Sequence, residues 1–124
     1  MIPVLDVDGN GTVGVFSDGL LILRYMNGVR GDQLINGVVA PGATRTTAPQ
    51  IEGYIRKIWE LLDADGNGQV KLESDGFLIL LYLVGLTGTN LTQNGRIIEP
   101  GASRATAESI SAYLLKLKTN GFTL

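Results

Sequence analysis

Half of the twelve acidic residues in this chain fall in two short stretches, as Asp6, Asp8 and Asp18 and as Asp63, Asp65 and Asp75. The first stretch begins Asp6-Val7-Asp8-Gly9-Asn10-Gly11-Thr12-Val13, the second Asp63-Ala64-Asp65-Gly66-Asn67-Gly68-Gln69-Val70. Oxygen-bearing side chains at positions 1, 3 and 5, followed by glycine at 6, suit a hard cation that wants many oxygen ligands. Calcium takes about six to eight oxygens at about 2.3–2.6 Å, and the chain must curl tightly to converge that many. Gly11 and Gly68 permit the curl. Position 7 offers a backbone carbonyl, so Thr12 and Gln69 count for geometry rather than for their side chains. The net charge is only −2, yet two spots along the chain are strongly negative, and a bound cation is the simplest way to neutralise them. The bland alternative is a pair of metal-free Asp/Gly turns, in which the carboxylates would repel one another.

Each sphere still lacks a closing carboxylate. Position 12 is Ser17 in one loop and Ser74 in the other, with Asp18 and Asp75 one place later. Two readings follow. Either each loop is one residue longer than usual and the late aspartate is a ligand, or the serines cap the next helix and the aspartates are favourable first-turn anions. The expected ligand sets are therefore Asp6, Asp8, Asn10, Thr12 and Asp18 for one ion, and Asp63, Asp65, Asn67, Gln69 and Asp75 for a second. Position 9 is Gly14 or Lys71, neither of which ligates through its side chain, so a water is expected there.

The rest of the composition narrows the chemistry. The 124 residues contain no cysteine and no histidine, which removes the usual zinc, iron–sulfur and haem ligand sets and Ser–His or Cys–His nucleophiles. No separate base stands out, and an enzyme is not expected. No basic patch points to nucleic acid. The longest apolar run, Phe77–Val84, is far short of the roughly 20 residues that span a bilayer, so membrane insertion is not expected either. No signal peptide is read at Met1–Thr12. At 44% apolar and 18% charged residues the chain reads as one folded domain, residues 1–124.

That domain is one unit written twice. A shift of 57 places lays Leu5–Ala40 on Leu62–Ile97 with about half of the positions identical, and after a two-residue insertion Pro41-Gly42-Ala43-Thr44-Arg45 lies on Pro100-Gly101-Ala102-Ser103-Arg104. The repeats run from about 5 to 61 and from about 62 to 118. Each reads as acidic loop, helix, irregular linker, helix. The first helices are predicted over Asp18–Asn27 and Asp75–Val84, stopping at Gly28 and Gly85. The second helices are predicted over Thr47–Leu62 and Thr106–Lys118, with apolar stripes such as Ile51, Ile55 and Ile58. Thr47 and Gln50 have capping-box spacing, Glu52, Arg56 and Glu60 are spaced for pairing, and Asp32–Leu34 can form a helical turn. Val13 and Val70 are expected to join the loops by a short strand pairing.

The Asp-x-Asp-Gly-Asn-Gly core, followed by Asp18-Gly19-Leu20-Leu21-Ile22-Leu23-Arg24-Tyr25, resembles the EF-hand and, more closely, the dockerin-like calcium repeats of bacterial extracellular proteins. The resemblance covers the loops and the helices after them better than the linkers. It implies an all-α fold of paired EF-hand-like loop–helix repeats with long irregular linkers and a pseudo-two-fold axis, binding two Ca2+ ions. It also implies a structural or docking module of a larger secreted or cell-surface protein. The EF-hand has glutamate at loop position 12 and dockerins have aspartate, so Ser17 and Ser74 depart from both. In dockerins, residues late in the loop and along the next helix meet a cohesin partner; the matching places here are Val15-Phe16 and Leu72-Glu73, with Leu81 a further partner-binding candidate. A calcium sensor is a weaker reading, because only Met1 and Met26 could supply the methionine-rich surface that sensors expose. Carbohydrate binding through Tyr25, Tyr54, Trp59, Tyr82 and Tyr113 is weaker than their use in the core. The first loop has no helix before it, so the last helix is expected to fold back and serve it; the alternative is that this helix leads into a further repeat.

Overall fold

A computed structural model describes residues 3–119. The described residues are helical and form no strand. Helix α1 spans Leu20–Met26, α2 Asp32–Ile35, α3 Ala48–Ile58, α4 Phe77–Val84, α5 Gly88–Thr92 and α6 Ala107–Lys118. Two π-turns, Val15–Gly19 and Leu72–Gly76, lead into α1 and α4, and a 3-10 turn, Trp59–Leu62, carries α3 into the second acidic loop.

Local chemistry accounts for most of these boundaries. The long helices start on capping boxes. Thr47 Oγ1 accepts the Gln50 N–H at 3.4 Å while Gln50 Oε1 accepts the Thr47 N–H at 3.2 Å, and Thr106 with Ser109 repeats the exchange at the start of α6. Such reciprocal bonds satisfy two amides that a helix start otherwise leaves open. Helices α1 and α4 end alike, with Val29 N–H on Arg24 O and Leu86 N–H on Leu81 O, at 2.9 and 3.0 Å. These are helix-terminating bonds that capture the last free carbonyls. Helix α5, which has no strong apolar period, was not read from the sequence.

The two loop–helix units pack against each other through reciprocal contacts. A Cβ placed on Gly19 would lie 3.4 Å from Leu83 and 3.9 Å from Leu80; one on Gly76 would lie 2.9 Å from Met26 Sδ and 3.0 Å from Leu23. Leu80 and Leu83 are the repeat equivalents of Leu23 and Met26, so each unit offers the other the same glycine and the same pair of side chains. The core beneath is continuous: Leu21, Ile22, Ile51, Ile55, Ile58, Leu78, Ile79, Ile110, Leu114 and Leu117 are fully or almost fully buried. The apolar stripes of α3 and α6 supply much of it, as hydrophobic burial demands.

Helix α6 does return to the first loop. Leu5 N–H donates to Leu117 O at 3.0 Å. Leu117 is the repeat equivalent of Ile58, and Leu5 that of Leu62. In the second repeat the chain runs from Ile58 through a 3-10 turn to Leu62; in the first, a hydrogen bond across the chain ends joins the same two places. Several expectations need correction. Val13 and Val70 share no backbone hydrogen bond and pack instead at the edge of the core. Glu52 does not pair with Arg56; its carboxylate accepts the Gly31 N–H at 2.9 Å, holding the first linker to α3. Helix α4, apolar along its whole length, leaves Phe77 41% and Val84 57% exposed.

Candidate metal centre

Each acidic loop is a chain of carboxylates that turn back to accept the backbone N–H groups just ahead of them. Asp6 takes the amides of Asn10 and Gly11 at 3.2 and 2.9 Å, Asp8 takes that of Asn10 at 3.2 Å, and Asn10 Oδ1 takes that of Thr12 at 3.1 Å. The second loop repeats these bonds within 0.1 Å: Asp63 with Asn67 and Gly68, Asp65 with Asn67, Asn67 with Gln69. Short side chains with acceptor oxygens curl the backbone in this way because they compete for local amides. The curl turns alternate side chains to one point.

The π-turn brings in the late aspartate. Gly19 N–H bonds to Gly14 O at 3.1 Å and Gly76 N–H to Lys71 O at 3.0 Å, each spanning five residues instead of four. A π-turn absorbs one extra residue into the start of a helix. It thereby accommodates the added position that moves the carboxylate from 17 to 18 and from 74 to 75. Asp18 then accepts the Asp8 and Gly14 amides at 3.1 and 2.9 Å, and Asp75 the Asp65 and Lys71 amides at 3.2 and 2.9 Å. Neither serine caps a helix by a side-chain bond, and Ser74 Oγ is buried without a partner. The aspartates, not the serines, join the loops.

The outcome is two clusters able to hold a metal ion. Asp6, Asp8 and Asp18 offer oxygens within 4.8 Å of one another, as do Asp63, Asp65 and Asp75. All but Asp63 are fully buried. Burial pushes Asp18 up to about 7, and the neighbouring Asp8 and Asp6 add to the rise against the opposing effect of the two amides. Asp75 is pushed up to about 7 by the same causes, burial first. Asp6 is also raised, chiefly by burial. Three carboxylates at one buried point are costly to ionise, and a divalent cation removes that cost. The donor set fits one. An ionised carboxylate has about four lone-pair sites, and backbone amides, including those of Ala40, Glu99 and Gly66, occupy two or three on each aspartate. Thr12 and Gln69 are exposed.

The linkers are part of these centres, which was not foreseen. Ala40 N–H donates to Asp8 Oδ2 and Glu99 N–H to Asp65 Oδ2, both at 2.9 Å. Arg45 N–H bonds to Asp8 O and Arg104 N–H to Asp65 O, both at 2.9 Å. The guanidinium of Arg45 grips Val7 O and Asp6 O at 2.6 Å each, and Arg104 grips Ala64 O and Asp63 O in the same way. The repeated Pro-Gly-Ala-Thr/Ser-Arg motif was the available signal.

Of the partner-binding candidates, Phe16 is 80% exposed. Val15, Leu72 and Leu81 are half-buried, and Leu81 lines a groove with Phe77, Leu80 and Ile97. The aromatic residues are absorbed by packing: Tyr25 is buried edge-on to Trp59, and the Tyr54 and Tyr113 hydroxyls donate to Val4 O and Leu61 O. Among the described residues no helix is long and apolar enough to cross a membrane. Comparison of the chain with protein-family models, with curated proteins and with solved structures returns no match.

Proposed function

We propose that this chain is a calcium-binding structural or docking module, holding one Ca2+ in each acidic loop, within a larger secreted or cell-surface protein. The observation that carries the reading is the duplicated convergence of three aspartates on one point, Asp6, Asp8 and Asp18 and again Asp63, Asp65 and Asp75. An all-oxygen donor set favours calcium over zinc or copper. Magnesium demands tighter octahedral geometry and sheds its water reluctantly. Asn10 and Asn67, and the carbonyls of Thr12 and Gln69, are the further ligands proposed. The pairing is EF-hand-like, with α3 entering the second loop and α6 standing in for the missing helix of the first. The dockerin-like resemblance supports placing the module outside the cell.

In this reading metal binding supplies folding free energy, because an ion that binds only the native state stabilises it by mass action. Exposed Phe16 favours a docking role, with a cohesin-like protein or a neighbouring domain as the partner. Circular dichroism during heating, with calcium, magnesium or chelator, tests the proposal. Calcium should raise the melting temperature well above its value in chelator, with magnesium giving less. Equal melting in calcium and chelator would remove the metal from the account.

A further inference from the structure

The Pro-Gly-Ala-Thr/Ser-Arg motif folds each linker back over its own acidic loop. The bonds it makes fall on the parts of the loop that must be fixed for ligands to converge. Arg45 spans the carbonyls at loop positions 1 and 2, and its own amide, with that of Thr44, meets the carbonyl at position 3. Its guanidinium lies over the Tyr54 ring, 3.9 Å from the centroid. Tyr54 in turn donates to Val4 O at 2.8 Å, two residues before the first ligand. Arg104 over Tyr113 at 3.7 Å, with Tyr113 on Leu61 O at 2.6 Å, builds the same clasp on the second loop. Two copies with diverged linkers arrive at one geometry. A guanidinium fork bonded to two successive carbonyls and stacked on a ring has little freedom left.

From this geometry we infer that Arg45 and Arg104 are positioning residues for the metal, each setting the affinity of its own loop and not of the other. The inference rests on the calcium reading above. The arginines touch no carboxylate oxygen; they fix the backbone from which the aspartates at positions 1 and 3 project. Partners of this kind, one shell out from the ligands, commonly alter metal affinity by about ten- to a hundredfold.

Calcium titration by calorimetry on the whole chain, with Arg45→Met, Arg104→Met and Arg45→Lys, tests it. Arg45→Met should weaken one of the two binding events by about tenfold or more and leave the other unchanged. Arg104→Met should weaken the other event. A merely structural arginine would shift both or neither, so the untouched loop is an internal control. Arg45→Lys keeps the charge and loses the fork, and should restore little. It also carries the test if Arg45→Met fails to fold. Amide exchange in chelator separates this inference from the calcium reading. Arg45→Met should speed exchange at Asn10 and Gly11 and spare Asn67 and Gly68, whether or not the wild-type chain binds calcium. Folded variants with wild-type affinity at both loops, or with unchanged exchange where the wild-type chain proves not to bind, would overturn the assignment.

Discussion

Replacing Gly9 by alanine should cost far more than replacing Gly11, although both lie in the same loop and both adopt positive φ. Gly9 sits at φ 70° and Gly11 at φ 96°. That region costs a residue with a Cβ about 1–2 kcal/mol, and φ 96° is the less forgiving of the two. Backbone strain alone would therefore make Gly11→Ala the worse change. The surroundings reverse the order. A Cβ on Gly11 meets nothing within 4 Å, whereas one on Gly9 would lie 2.1 Å from Thr44 Oγ1 and 3.3 Å from Arg45 Cζ. Thr44 would have to leave, breaking its 3.0 Å bond to Gly9 O, a loss of about 1 kcal/mol. Displacing the packed clasp adds about 1–3 kcal/mol. The expected costs are about 1–2 kcal/mol for Gly11→Ala and about 3–6 kcal/mol for Gly9→Ala. Urea unfolding in chelator reads the difference free of any metal contribution, and Gly66→Ala against Gly68→Ala repeats it in the second loop, where the Cβ would lie 2.2 Å from Ser103 Oγ. Equal costs within either pair would refute the idea that the linkers are closed over the loops in solution.

Stability should depend on pH in opposite senses with and without metal. In chelator, Asp18 and Asp75 hold protons up to about 7 in the fold against an ordinary value of 3.8; stability is then greatest at low pH and falls as pH rises from about 4 through about 7. Saturating calcium competes with those protons, so the urea midpoint should rise over the same range. Ser74→Ala removes a buried hydroxyl with no partner and should raise the melting temperature slightly, by about 1 kcal/mol of stability; a loss of stability would reveal a bond to Ser74 Oγ. Tyr54→Phe deletes the hydroxyl that holds Val4 O and should cost about 1 kcal/mol in the same urea assay.

Much of the site was legible because its information is local. Positions 1, 3 and 5 of each loop are fixed by side chains reaching amides two to five residues ahead, and such short-range bonding is written in the order Asp-x-Asp-Gly-Asn-Gly. The late aspartate was legible because each loop would otherwise lack its main carboxylate, although the π-turn that delivers it was not. A single inserted residue can lengthen a loop or bulge a helix, and sequence does not choose between them. The capping box at Thr47 and the apolar stripes of α3 and α6 were local and periodic, and they were found; the second box, Thr106 with Ser109, emerged only in the structure. The linkers were not resolved, because their bonds cross more than thirty residues: Ala40 to Asp8, Arg45 to Asp6. The expected Val13–Val70 pairing failed for a related reason. The two loop–helix units meet through Gly19 and Gly76 packed on leucine and methionine side chains, a contact that a motif-by-motif reading does not contain.

The most direct test of the calcium centres is calorimetric titration of calcium into the chain, into Asp18→Asn, and into the double variant Asp18→Asn with Asp75→Asn. Asparagine preserves the shape and one acceptor oxygen while removing the charge of the closing ligand. The account predicts two ions per chain for the wild type, one retained at wild-type affinity in the single variant, and none at wild-type affinity in the double variant. No heat of binding in the wild type, or two undiminished ions in the double variant, would contradict it.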